Sequence, residues 1–264
     1  MFFAKLQIIV LINKMIRFAS LARTYFGGFD NICLKFAPSN QLKQRIMSKV
    51  SVKPFSCPSC GCKGEFRMYD SVNVSLDPKL RDKVLSGEIF NWTCPQCGKE
   101  ISLRHNLLYH DMNKEFQVYY SPTECDSINS MINDMLTKYP GMRKTNRTVD
   151  SLNALKEKIL IFEEGLNDIA IELSKAVIKY AKKNNISPKC ELRFEKQIPH
   201  NEDSPKGLLI FRQIIDGLPQ KGMLLFDKTN YNNLLKEVLS NEKFKMNQYC
   251  DTIDEQWILD RMTS

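Results

Sequence analysis

Histidine is scarce in this chain. The 264 residues hold three, His105, His110 and His200, and none stands in the His-Glu-x-x-His spacing of a metalloprotease. Neither a glycine-rich phosphate loop nor a Gly-x-Ser-x-Gly nucleophile turn occurs. Those absences exclude the common hydrolase and nucleotide-handling signatures. They leave His110-Asp111 beside Tyr109 as the best acid–base candidate. The plainer reading of that pair is a turn with an exposed imidazole, so no catalytic residues are assigned and no enzyme is expected. Long apolar runs are also missing. Leu6 to Ile12 spans seven residues, far short of the roughly 20 needed to cross a bilayer. As a signal-peptide core it has Lys14 and Arg17 on the wrong side and no clear small-residue cleavage site after it.

Acidic residues are nearly absent from one region only. Residues 1–50 carry eight basic side chains and a single acid, Asp30, whereas the other 214 residues carry 30 basic and 29 acidic ones. The formal charge of +8 therefore sits almost wholly in the leading stretch. The body is close to neutral, and net charge gives no support for nucleic-acid binding. Residues 1–46 read as a basic extension; a start at Met47 leads directly into the segments described next.

What the chain has is cysteine. Nine are present, an odd number, and five of them lie within the 41 residues from Cys57 to Cys97. Four belong to two copies of one motif, Cys57-Pro58-Ser59-Cys60-Gly61 and Cys94-Pro95-Gln96-Cys97-Gly98. Two residues between paired cysteines allow a tight knuckle with both sulfurs facing one point. Proline presets φ for the turn, and glycine after the second cysteine takes the positive φ that turns the chain back. Cys57, Cys60, Cys94 and Cys97 are thus the expected metal ligands, four thiolates closing a shell around one structural Zn²⁺. Iron is the rival ion: Trp92-Thr93-Cys94-Pro95-Gln96-Cys97-Gly98 resembles the second knuckle of rubredoxins, where the metal carries electrons. A thioredoxin-like dithiol fits less well, because the motif is doubled and no βαβ pattern surrounds it. Cys62 is either a substitute ligand, a redox-sensitive neighbour or a spare thiol. Cys33, Cys125, Cys190 and Cys250 have no metal spacing.

The 33 residues from 61 to 93 read as a strand from Lys63 to Val74, a helix from Asp77 to Leu85 capped by Asp77 and stopped by Ser86-Gly87, and a returning strand from Glu88 to Thr93. Ile101–Tyr109 and Glu115–Tyr120 predict a hairpin turning at 111–114, and Ser127–Tyr139 a short helix. From Leu152 to Tyr180, apolar residues recur every three and four positions. That seam predicts a long helix, with Gly165 a candidate break, serving either as an oligomer or partner contact or as an amphipathic helix packed on its own domain. Beyond Pro188, strands at 192–195, 207–215 and 223–226 precede a helix near Tyr231–Val238. Thr252-Ile253-Asp254-Glu255 reads as a capping box opening a last helix.

The motif pair and its spacing, together with Leu107–Lys114, Ser151–Ile159 and Phe162–Leu166, resemble the CpXC family of bacterial and archaeal proteins over about residues 54–180. That resemblance implies a zinc-type domain with Cys57, Cys60, Cys94 and Cys97 as its four cysteines, and implies no activity. The expected class is α+β: a basic extension (1–46), a zinc-ribbon-like β module with an inserted helix (47–122), a helical segment (123–188) and a small C-terminal α+β unit (189–264). The expected role is that of a cytoplasmic structural zinc protein acting in protein interaction or assembly. Its partner would be another protein or a second copy docking through the 151–183 helix, with no membrane. A nucleic-acid-binding zinc ribbon and an iron electron carrier are the alternatives.

Overall fold

The computed structural model describes residues 48–142, 144–181, 186–200 and 206–263, so the basic extension 1–46 lies outside the described residues. Residues 49–264 form one compact unit, α+β in class, with six α-helices among the described residues.

The chain opens with a hairpin of β1 (Lys49–Ser56) and β2 (Lys63–Asn73), closed by the first cysteine knuckle. Helix α1 (Lys79–Ser86) follows and ends at Gly87, whose φ of 87° lets its N–H reach back to the Lys83 and Val84 carbonyls. Its N-cap is Pro78, with no side-chain cap. The expected Asp77 cap is therefore displaced by one residue, because proline at the cap fixes φ and starts the turn. Residues 88–90 make a 3₁₀ turn rather than a strand, and only Asn91–Thr93 extend as β3, paired with β4 (Glu100–Ser102) around the second knuckle.

The main sheet continues with β5 (Leu107–Asp111), β6 (Phe116–Tyr120) and β7 (Thr145–Val149), α2 (Cys125–Lys138) lying between β6 and β7 in sequence. The predicted strand 101–109 is thus divided: Ile101 and Ser102 serve the second knuckle, and the hairpin strand starts at Leu107. Strand order is β1-β2-β5-β6-β7, completed beyond β7 by the short segment Cys250–Asp251; pairing is antiparallel within the β1/β2 and β5/β6 hairpins and parallel elsewhere. Strand β7 was not foreseen. Its sequence, Thr-Asn-Arg-Thr-Val, has no apolar alternation, yet four of its five residues are buried. Arg147 bonds Asp168 on one face, and Thr148 bonds Asn129 of α2 on the other. Adjacent strand residues point to opposite faces, so at β7 the sheet is covered on both sides.

The predicted long helix is two helices, α3 (Leu152–Glu163) and α4 (Asp168–Tyr180). Gly165, at φ 67°, donates to Phe162 O while Leu166 donates to Ile161 O, a left-handed termination. Asn167 then caps α4 by accepting from the Ala170 amide. The seam residues Leu155, Ile159, Phe162, Leu166, Ile169, Leu173 and Ala176 are buried, and so are Ile161, Ile171 and Ile178 on the second face. Both faces pack within the chain's own core because the pair lies between two sheets.

The second sheet is an antiparallel meander of β8 (Glu191–Ile198), β9 (Leu208–Ile215) and β10 (Leu218–Asp227). Asp216 and Gly217, both at positive φ, make the turn between β9 and β10. Helix α5 (Lys228–Ser240) is capped by Asp227. Strand β11 (Cys250–Asp251) then returns to the edge of the main sheet, and α6 (Glu255–Thr263) closes the chain. The Asp254 carboxylate accepts from the Trp257 amide at the start of α6, whereas the Thr252 hydroxyl, expected to cap, bonds Thr148 at 2.8 Å. The threonine is drawn away because it completes the polar contact of the buried Thr148 hydroxyl.

Candidate metal centre

Each knuckle is built by the same backbone bonds. Gly61 N donates to Cys57 O at 2.8 Å and Gly98 N to Cys94 O at 3.0 Å, while the Cys57 and Cys94 amides donate to Cys62 O and Lys99 O. Gly61 and Gly98 have φ of 72° and 70° with no atom near a would-be Cβ, so it is the backbone angle that favours glycine here.

The two knuckles face one another. Sγ atoms of Cys57, Cys60, Cys94 and Cys97 all lie within 4.8 Å of one another. Cys57 Sγ stands 3.7 Å from Cys97 Sγ, and Cys60 Sγ 3.5 Å from Cys94 Sγ. A tetrahedron of thiolates at about 2.3 Å from a metal has edges of about 3.8 Å, whereas a disulfide requires about 2.05 Å. The spacing therefore fits a shared ion. Cys57 and Cys94 are buried; Cys60 and Cys97 are exposed.

Protonation preferences agree with a shared cation. Burial raises the Cys94 thiol, but the amides of Cys97 and Gln96 and the neighbouring sulfurs outweigh it and bring it to about 6. Cys57 is lowered against burial by the amides of Cys60 and Ser59. Cys60 goes the other way: the Cys62 amide lowers it, but burial and the sulfurs of Cys94, Cys97 and Cys57 push it to about 12. Like charges this close cannot all ionise unaided, and a divalent cation removes the conflict.

An aromatic clamp supports the centre. Phe66 and Trp92 are buried with Cys57 and Cys94 in a cluster separate from the main core. Trp92 Nε1 donates to Glu65 O at 3.0 Å, and Phe55 meets the indole edge-on at 5.0 Å. Trp92 thus ties the second hairpin to the first. Its role beside the cysteines was not apparent from sequence; its position two residues before Cys94 was the available signal. Gly64 makes this docking fit, since a Cβ there would stand 2.7 Å from Trp92 Cζ2. Gly64→Ala is expected to destabilise by about 1–3 kcal/mol through overpacking. Unfolding followed by tryptophan fluorescence measures this, and an unchanged midpoint would refute the clamp.

The remaining candidates lie elsewhere. Cys125, Cys190 and Cys250 are far from the knuckles in sequence and do not join the cluster, and Cys33 lies outside the described residues. His105 bridges the Leu103 and Tyr69 carbonyls at 2.9 and 3.2 Å, and His200 is exposed. His110 corrects the expectation of an exposed turn. Strand β5 runs on through Asp111, and His110 pairs with Gln117 inside the sheet, leaving it 5% exposed with Nε2 unpartnered among the described residues. Asp111 instead organises the turn, its Oδ1 accepting from Ser75 Oγ and from the Asn113 and Lys114 amides. Adjacent strand positions send the two side chains to opposite faces.

Burial, helped by Lys144 and opposed by Asp111, pushes His110 down to about 4, against about 6.5 for free imidazole. The unfolded chain therefore takes up the proton first. This contribution to stability is complete above about pH 6.5 and is lost as pH falls toward the folded-state value, by roughly 3 kcal/mol in all. His110→Leu should flatten that limb of the stability–pH curve. A limb of unchanged slope in urea melts between pH 7 and 4 would contradict the assignment.

Residues 55–175 match the CpXC protein family. No curated protein and no solved structure matches the chain.

Proposed function

We propose that this chain, with its CpXC region, is a structural zinc protein whose ion clamps two hairpins into a protein-binding or assembly module. The observation that carries the reading is the convergence of four sulfurs from two knuckles within 4.8 Å of one another, with the two cross-knuckle pairs at 3.7 and 3.5 Å close to a tetrahedral edge. Four protein ligands close the shell, leaving no open position for a substrate or water. Zinc is favoured over iron because the near-neutral body and the long appended segments depart from the small, acidic rubredoxin pattern. A reducing, cytoplasmic setting suits the eight described cysteines, all free. Among the described residues no helix is long and apolar enough to cross a membrane.

Metal analysis of the purified protein, with its solution mass, tests this reading. One zinc per chain in colourless protein is expected. A red protein with visible absorption bands would replace the structural role with electron transfer. Nucleic-acid affinity that falls steeply with salt would replace protein binding with nucleic-acid binding.

A further inference from the structure

A polar cavity of about 420 Å³ opens at one end of the main sheet, within the size range of small-molecule sites. It lies beyond the carboxyl ends of the parallel pair β2 and β5, since Val74 follows the last residue of β2 and Asp111 is the last residue of β5. Open sheets with parallel strands place ligands at that end. Arg81 of α1 and Glu163, the last residue of α3, are already matched to each other. Arg81 Nε donates to both Glu163 oxygens at 2.9 Å, and the Tyr109 hydroxyl donates to Oε1 at 3.1 Å. Two other charges in the lining are not matched. Asp111 is 9% exposed, and its carboxylate accepts three hydrogen bonds, all at Oδ1, from Ser75 Oγ and the amides of Asn113 and Lys114. Its Oδ2 takes none of them and is the oxygen left to the cavity. Lys114 donates its ammonium to the Glu163 carbonyl at the end of α3, not to a carboxylate. Among the described residues neither Asp111 nor Lys114 belongs to a salt bridge. The turn fixes the carboxylate and the helix end fixes the ammonium, so two opposite charges are held apart on the lining of one cavity. Val74 and Pro78 give it an aliphatic wall.

We propose that this cavity binds a small aliphatic amino acid as its zwitterion. The ligand's ammonium meets Asp111 Oδ2, its carboxylate meets Lys114 Nζ, and its side chain lies on Val74 and Pro78. Arg81 stays with Glu163 and serves as scaffold. A simple amine would leave Lys114 unmatched, and a simple carboxylate would leave Asp111 unmatched; a zwitterion answers both charges. Glu164, exposed at the rim, is held by the Gln197 amide at 2.8 Å. The cavity shares no residue with the four cysteines or their aromatic cluster, so the proposal does not rest on the metal reading.

Calorimetric titration of the full-length protein tests this with L-leucine, isopentylamine (leucine without its carboxylate) and isocaproate (leucine without its amine). Leucine is expected to bind, and each analogue to bind about tenfold or more weakly, the effect of losing one charge-assisted contact. Asp111→Asn keeps the Oδ1 acceptor on which the turn depends and removes only the charge. It should weaken leucine by a similar factor and leave isocaproate unchanged. Lys114→Met should weaken leucine and leave isopentylamine unchanged. No leucine binding to the parent chain at millimolar concentration would overturn the proposal. Isopentylamine binding as tightly as leucine would also overturn it, by making this a plain cation site, as would Asp111→Asn titrating like the parent. The thermal transition of the main core verifies that each variant is folded, and if Asp111→Asn is not, Lys114→Met decides by the same comparison.

Discussion

Replacing Cys94 with serine is expected to strip the metal and release the two knuckles while the main core still unfolds cooperatively. Cys94 is buried at the contact between the hairpins, and no spare thiol is paired with it in sequence as Cys62 is with Cys60. A structural zinc contributes about 10 kcal/mol or more to a small module. The buried side chains of Phe66 and Trp92 contribute roughly 1.5–3 kcal/mol each. With zinc bound as proposed, the ion dominates locally, and the aromatic cluster cannot hold the hairpins together alone. The loss stays local because the knuckle cluster is distinct from the core that runs from Val72 to Ile258. Hydrogen exchange should show amides of residues 56–66 and 91–102 losing protection in Cys94→Ser, with those of α3 and α4 unchanged. Retained metal, or protection lost everywhere at once, would refute this account. The same result is expected from a strong chelator acting on the parent protein.

Asp168→Asn is expected to cost about 3–5 kcal/mol, the usual effect of leaving a buried charge without its partner. Asp168 Oδ2 lies 2.7 Å from Arg147 Nε and 3.1 Å from Lys158 Nζ, and all three side chains are under 10% exposed. Lys158 also reaches Glu172, and Lys175 joins Glu172 to Glu157, whose carboxylate accepts the Phe194 amide of β8. This chain of alternating charges links both sheets through α3 and α4. Lys158 keeps Glu172 in the variant, but the Arg147 guanidinium loses its one carboxylate ion-pair partner among the described residues. For a domain of this size the loss corresponds to a melting temperature lower by on the order of 10 °C. Arg147→Met/Asp168→Leu, which removes both charges, should recover most of it. A double variant no better than Asp168→Asn would show that the pair is not what carries the loss. The pH dependence gives a second check. Burial raises the Asp168 carboxyl, but Arg147 and Lys158 outweigh it and hold it well below the usual carboxylate range. A lowered folded-state value stabilises above the unfolded value of about 3.9 and fades as pH falls below it. The gap between parent and variant should therefore narrow only below about pH 4.

The knuckles were legible because their chemistry is local. Cysteine spacing, proline and a left-handed glycine fix each turn whatever surrounds it, and β2, α1, α2 and the β8–β10 meander follow from equally local patterns. Strand β7 was not legible, since its buried residues are polar and are satisfied by partners from elsewhere: Asn129, Thr252 and Asp168. His110 was misjudged for a related reason, as a turn four residues long can begin one position later and carry an imidazole into the sheet.

By itself the sequence determined which sulfurs pair within each knuckle, where the Leu152–Tyr180 helix is interrupted and which stripes are apolar, because spacing and φ preferences act within a few residues. Only the tertiary structure decided that the knuckles meet at one point and that the helical seam turns inward between two sheets. An apolar stripe records that a surface is buried; what it is buried against depends on strands and helices brought from distant parts of the chain.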